Sequence, residues 1–202
     1  MKYLVLGSAG QIGSALVNFL RNKGEEVLTI DLVNSVTQDL RIHNNTLVES
    51  YIEQCDFVYF LAFDVGGARY LEKYQYTFDF IQNNNTLMSN TFELIKKHNK
   101  PFIFASSQMS NMTHSTYGVL KAIGERYTAI LDGITVKFWN VYGYESDLEK
   151  AHVITDFINR AKLSGVIEMM TDGKERRQFL HVDDCSDCLY KLSDQNTTNR
   201  FS

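Results

Sequence analysis

The chain opens Met1-Lys2-Tyr3-Leu4-Val5-Leu6-Gly7-Ser8-Ala9-Gly10-Gln11-Ile12-Gly13. A β-type run, Lys2 to Leu6, leads straight into three glycines. Helical spacing follows over Gln11 to Lys23, with Ile12, Leu16, Phe19 and Leu20 on one face. That context gives the glycines meaning. One permits a tight turn, the next lets backbone approach a pyrophosphate, and the last lets helix pack on strand. The helix start adds free N–H groups and a positive dipole end. Gly7, Gly10, Gln11, Ile12 and Gly13 are therefore the candidate phosphate loop. An ordinary glycine-rich turn is the competing reading, and it does not account for strand before and helix after.

Working outward, Glu26 to Ile30 reads as a second strand and ends at Asp31, 18 residues past Gly13. A carboxylate there accepts hydrogen bonds from ribose hydroxyls and repels a 2′-phosphate, which selects NAD over NADP. A strand-end turn aspartate is the alternative. Asp39, in the next loop, suits either an adenine contact or a turn. Helical patterns over Thr46 to Gln54, Thr77 to His98, Tyr117 to Leu131 and Ala151 to Lys162 alternate with strand patterns. The strands are expected over Asp56 to Ala62, Pro101 to Ala105, Ile134 to Trp139, near Ile167, and over Gln178 to Val182. A last helix begins at Asp183 or Asp184. This alternation predicts an α/β fold with a doubly wound, mainly parallel sheet.

Composition bounds the partners. At 202 residues the chain holds one α/β domain with a substantial core. A net charge of −4 without a basic tract argues against nucleic acid or an anionic membrane. No apolar stretch approaches the length of a membrane span, and the opening apolar run stops at a glycine, too soon for a signal peptide. Cys55, Cys185 and Cys188 give no disulfide framework. The expected compartment is the cytoplasm.

Tyr117-Gly118-Val119-Leu120-Lys121 opens a predicted helix, and the four-residue spacing puts Tyr117 and Lys121 on one face. A phenol is a poor base at neutral pH, but a neighbouring ammonium favours the phenolate. Tyr117 can then take a proton from a hydroxyl. The preceding strand ends in Ser106-Ser107, and a serine at the C-terminal end of a parallel strand points into the ligand crevice. Ser107, Tyr117 and Lys121 are the candidate catalytic residues.

These motifs together resemble the extended short-chain dehydrogenases/reductases, the NAD-dependent sugar-nucleotide epimerase/dehydratase family. The resemblance runs from Met1 nearly to Ser202. It includes the glycine loop, Asp31, Leu61-Ala62, Asn84-Asn85, Ser106-Ser107 and Tyr117/Lys121. It continues through Asn140-Val141-Tyr142-Gly143 and Arg177-Gln178-Phe179-Leu180-His181-Val182-Asp183-Asp184. It implies a Rossmann-type sheet, NAD as cofactor and a nucleotide-sugar substrate. Ser107 would orient the reacting hydroxyl, Tyr117 would be general base and acid, and Lys121 would hold the nicotinamide ribose. Leu61 and Ala62 would line the cofactor site, while Gly66, Gly67, Asn85, Asn140 and Arg177 would meet the substrate. From the residues alone, Asn140 reads as a turn former and Arg177 as a solvated charge. The resemblance also implies a homodimer through the long helix and the Tyr117 helix.

Departures narrow the chemistry. Dehydratases and decarboxylases of the family carry an acid just after the serine. Gln108, Met109 and Ser110 stand here, which disfavours dehydration. Asp64-Val65-Gly66-Gly67 resembles the loop of GDP-mannose 3,5-epimerases and GDP-fucose synthases, yet Met109 replaces their proton-transferring cysteine. Oxidation and re-reduction at one carbon needs no such cysteine, so a 4-epimerase-type reaction is the leading expectation. A reductase of keto-sugar nucleotides and a catalytically silent nucleotide-binding module are the competitors. Relatives continue for roughly another hundred residues, so the substrate-binding portion is expected to be truncated to part of residues 144–178 within a single domain, 1–202. Thr198 to Ser202 reads as the start of a further strand. The Cys185-x-x-Cys188 pair reads as buried packing rather than a metal site, since zinc needs about four ligands. No metal is expected.

Overall fold

The computed structural model describes the backbone of residues 1–199 and the side chains of residues 1–194. Five strands form one parallel sheet: β1 (Lys2–Leu6), β2 (Glu26–Ile30), β3 (Phe57–Phe60), β4 (Phe102–Ser107) and β5 (Ile134–Phe138). Their order across the sheet is β2-β1-β3-β4-β5. A second, two-stranded parallel sheet pairs β6 (Asn140–Tyr142) with β7 (Phe179–His181). The helices between them are α1 (Gln11–Asn22), α2 (Thr46–Gln54), α3 (Ala68–Tyr74), α4 (Phe78–Lys97), α5 (Thr116–Ile130), α6 (Val153–Ser164) and α7 (Val182–Asn199).

β1, β3 and β4 bury both faces, so side chains that alternate along each strand feed two cores. Leu4, Leu6, Val58, Phe60, Phe102 and Phe104 face one core with residues of α2, α4 and α5. Tyr3, Val5, Phe57, Tyr59 and Ile103 face the other, under α1 and α7. This two-sided cover is the doubly wound Rossmann-type arrangement. Strand order reverses between β1 and β3, and that switch point opens a crevice at the strands' C-terminal ends.

The structure revises several boundaries. The expected strand near Ile167 is absent, and residues 166–169 carry no regular structure. An unexpected helix, α3, precedes α4. The strand pattern ending at Trp139 is β5, and a further short strand, β6, follows it unannounced. Thr198 and Asn199 end α7 rather than begin a strand, and residues 200–202 lie outside the described residues. Cys185 is buried, but Cys188 is exposed, so only the first is a packing residue. In the region 144–178, α6 buries none of its side chains. Among the described residues, no helix is long and apolar enough to cross a membrane.

Phe92 is the knot of the first core. Its ring meets Phe60, Phe102 and Phe104 at centroid distances of 5.1 to 5.9 Å and stacks on Tyr127 at 4.9 Å. Replacing it with alanine leaves a cavity that this aromatic cluster cannot close. Phe92→Ala should lower unfolding free energy by about 3–5 kcal/mol in urea titration.

Candidate active site

The glycine loop is shaped by how closely backbone must approach backbone. A Cβ on Gly13 would lie 2.0 Å from the Gly7 carbonyl oxygen. Gly7 itself has φ +86°, and a Cβ there would sit 2.7 Å from the Ala62 nitrogen. Neither position accepts a side chain. Gly10 is the N-cap of α1, with no side-chain cap bond on the helix's free N–H groups. Asp31 closes the loop from the neighbouring strand: Oδ2 accepts from the Ala9 N–H at 2.8 Å and Oδ1 from the Val33 N–H at 3.0 Å. Asp39 is gripped by Arg41, whose Nη2 donates to Oδ2 at 2.7 Å. That guanidinium holds the Asp39 carboxyl below its usual range. Arg41 also donates to Asn83 at 2.8 Å.

A cavity of about 1370 Å³ occupies the crevice. Sheet order sets out its wall, from Asp31 after β2, past the glycine loop after β1 and Leu61-Ala62 after β3, to Ser107 at the end of β4. Of the residues singled out from sequence, Gly7, Gly10, Gln11, Ile12, Gly13, Asp31, Asp39, Leu61, Ala62, Gly66, Gly67, Ser107, Tyr117, Lys121, Asn140 and Arg177 all line it. Asn85 does not. It lies on the exposed side of α4, whereas Asn83 reaches the cavity and Asn84 is buried. The Asn84 amide brackets the loop after β3, accepting from the Asp64 N–H at 2.8 Å and donating to the Asp64 carbonyl at 3.1 Å.

Gly66 and Gly67 do permit close approach, but to the chain itself. A Cβ on Gly67 would lie 2.3 Å from the Ala151 oxygen, and one on Gly66 2.9 Å from Lys150 Cα. Asp64 gathers this corner. Its carboxylate accepts from Tyr70 Oη at 2.6 Å, Lys150 Nζ at 3.2 Å and Asn83 at 3.3 Å. Burial alone would raise the Asp64 carboxyl, but these donors outweigh it and hold it low. Sequence reading missed this cluster, since Lys150 is 86 residues from Asp64 and Tyr70 carries no motif. Asn140 donates to the Gln178 carbonyl at 3.0 Å, linking β6 to the approach of β7, and Arg177 is exposed on the cavity rim.

Ser107, Tyr117 and Lys121 converge at the end of β4. Gly118 makes this possible: a Cβ there would sit 2.2 Å from the Met109 oxygen, so only glycine lets the turn after Ser107 rest on α5. Ser115 caps α5, accepting from the Gly118 N–H at 3.1 Å. Burial raises the Tyr117 phenol to about 12, and a hydrogen bond with Ser107 pulls it back toward ionisation. Burial lowers the Lys121 ammonium to about 7. Its Nζ donates to the Ala105 carbonyl at 2.6 Å and lies 3.7 Å from the centroid of the Phe63 ring. Behind the site, Ser106 donates to Glu125 at 2.5 Å, and Glu125 pairs with Lys137 at 3.1 Å.

Residues 3–200 match the family described as "NAD dependent epimerase/dehydratase family". The chain belongs to that family. It is 24% identical to UDP-glucuronic acid decarboxylase 1 of Arabidopsis thaliana over all of this chain and 54% of that protein. It is 27% identical to GDP-L-fucose synthase 1 of Arabidopsis thaliana, over 95% of this chain and 68% of that one. UDP-glucose 4-epimerase of Thermotoga maritima, solved with UDP-glucose, superposes with a TM-score of 0.79 at 21% identity, covering 95% of this chain and 73% of that one. The chain thus spans about half to three quarters of the length of these family members. NAD is the family's cofactor, and the residues here fit it. The Gly7–Gly13 cradle would be filled by any Cβ, the α1 N-terminus is free of side-chain caps, and a carboxylate stands at the end of β2.

Two outcomes follow. Gly13→Ala should abolish NAD binding measured by calorimetry, because its methyl has no room beside Gly7. The second concerns pH. An unfolded Lys121 binds its proton up to about pH 10.5, whereas the buried one loses it near 7, so the unfolded state binds more protons between these values. Stability conferred by Lys121 therefore rises with pH above 7, at most by about 1.4 kcal/mol per unit. Above pH 9 the buried thiols Cys55 and Cys185, raised to about 11 and about 12, oppose it. Urea midpoints from pH 7 to 9 should climb in the wild type relative to Lys121→Met.

Proposed function

We propose that this chain catalyses epimerisation of a nucleotide-activated sugar with NAD, by transient oxidation and re-reduction at one carbon. The observation that carries this reading is the convergence of Ser107, Tyr117 and Lys121 on the same cavity as the glycine loop, with Met109 beside them. Bound NAD supplies reversible two-electron redox chemistry. Gly7, Gly10, Gln11, Ile12 and Gly13 would hold its phosphates, Asp31 its adenosine ribose hydroxyls, Asp39 its adenine, and Leu61 and Ala62 would line its site. Asp31 favours NAD over NADP by repelling a 2′-phosphate.

Ser107 would fix the sugar hydroxyl through its Oγ, beside the phenol. Tyr117 Oη takes the hydroxyl proton as the carbonyl forms and returns it when the alcohol is restored. Lys121 would hold the nicotinamide ribose, and its charge together with that of the bound cofactor would favour the phenolate. Its low value leaves that charge sensitive to what enters the cavity. Met109 has no exchangeable proton, and Gln108 and Ser110 are not acids, so the positions just after Ser107 disfavour 3,5-epimerisation and dehydration.

Asn140 and Arg177 line the cavity and would meet the nucleotide-sugar, with 144–178 as a substrate-binding region, while Gly66 and Gly67 line the same cavity and pack against residues 150–152. Asn85 is set aside by its exposed position. Phe78 and Ile81 on α4 and Val119, Ile123, Tyr127 and Ile130 on α5 leave an exposed apolar face. That face supports a homodimer through these two helices. The free thiols of Cys55, Cys185 and Cys188 suit the cytoplasm.

The test is NMR of the protein with NAD and a panel of UDP-, GDP- and dTDP-sugars, following cofactor absorbance in parallel. A new sugar signal without net cofactor change is expected. Net consumption of NADH with a keto-sugar would instead make it a reductase. NAD binding with no sugar converted across the panel would overturn the epimerase reading in favour of a binding module. Tyr117→Phe should lower turnover by about 10²–10⁴-fold while leaving NAD affinity in place.

A further inference from the structure

Phe63 is the first residue beyond Leu61-Ala62 and lines the cavity between the glycine loop and the reacting centre. Its ring does two things at once. It packs edge-on against Tyr117, with centroids 5.7 Å apart and planes at 77°. It also presents its face to Lys121 Nζ at 3.7 Å, closer than the rings of Phe104 at 5.0 Å or Tyr117 at 5.8 Å. An ammonium has three donors. One goes to the Ala105 carbonyl, and the Phe63 face is the nearest aromatic surface to the others. Lys121 is only 3% exposed, so this contact is desolvated, the condition in which a cation over an aromatic ring is held most strongly.

We propose that Phe63 is a positioning residue for Lys121. Its ring face and the Ala105 carbonyl together hold the ammonium, and a ligand hydroxyl that engages Lys121 competes with the ring for it. The inference rests on the NAD reading above in one respect, that the competing group is a ribose hydroxyl of the cofactor. A side chain that competes with the cofactor for Lys121 weakens cofactor binding. Removing its aromatic face should therefore tighten binding, an outcome that a purely structural ring does not give.

Four forms separate the possibilities: wild type, Phe63→Ala, Phe63→Leu and Phe63→Tyr. Leucine keeps apolar volume without a π face, and tyrosine keeps the face. NAD dissociation constants come from calorimetry, with folding of each form verified by circular dichroism. F63A and F63L should bind NAD about tenfold more tightly than wild type, and F63Y should match wild type. Reductive methylation of Lys121, quantified by peptide mass spectrometry, gives a readout independent of the cofactor. It should run at least about tenfold faster in F63A and F63L than in wild type and F63Y. NAD should protect Lys121 in the aliphatic variants. Folded F63L that binds NAD no more tightly than wild type, or methylation rates equal across the four forms, would overturn the proposal. If no form binds NAD, the cofactor reading fails, and the methylation rates alone still decide whether Phe63 holds Lys121.

Discussion

The closest constraint in the molecule is the approach of α1 to the end of β1. With Gly13 stacked on the Gly7 carbonyl, the helix axis points at the crevice from a distance no side chain would allow. The same glycine at position 7 lets the end of β3 come in beside it, so Ala62 and the phosphate loop share one wall. Asp31 then does double service. Its carboxylate oxygens hold the Ala9 and Val33 N–H groups, which makes the loop rigid, and its position at the end of β2 puts negative charge at the cavity's outer end. A flexible loop would lose ordering entropy on binding a dinucleotide; a loop already pinned by a carboxylate loses less.

From that fixed end the cavity is built by bringing distant pieces of chain against one another. The Asn84 amide, buried in α4, replaces the hydrogen bonds that the loop after β3 lacks, and so aims Asp64. Asp64 in turn holds Lys150, and the two glycines beside it let the 150–151 backbone lie against α3. Arg41 and Asn83 continue the same polar line toward Asp39. The side of the cavity remote from the sheet is thus held by hydrogen bonds and partly exposed ion pairs in addition to the apolar packing of Val65, Tyr70, Leu71 and Tyr74. The ion pairs among these contacts are individually weak and screened by salt.

How much of this could be read in the sequence follows from the same division. The strands and the helices with a clear apolar face were legible because burial imposes a period on every residue. The glycine loop and the Tyr117–Lys121 pair were legible because short spacing within one turn or one helix fixes geometry. Lys150 and Tyr70 were not, since nothing in a chain announces a partner 86 or 6 residues away until the fold brings them to Asp64. The Asn84-Asn85 pair shows the limit most clearly. The motif pointed to the right turn of α4, but a 100° step per residue put Asn84 inward and Asn85 outward. The strand expected near Ile167 failed for another reason. Its apolar residues, Val166, Ile167, Met169 and Met170, are exposed here, so the pattern had no buried face to report.

The reacting centre carries the same tension between burial and polarity. Desolvation pushes Tyr117 up and Lys121 down, which moves both toward their neutral forms. Taken by themselves, an acid near 12 and an amine near 7 make a weak proton relay at neutral pH. The Ser107 hydroxyl is the one neighbour that pulls the phenol toward ionisation in this arrangement. Any further lowering must come from positive charge or hydrogen-bond donors brought into the cavity, since the sheet side of Lys121 offers only a carbonyl and aromatic rings. Base strength at Tyr117 is therefore a property of the filled cavity. In the proposed reaction Tyr117 would keep its proton until cofactor and substrate hydroxyl are both seated, which would tie proton removal to the oxidation it accompanies.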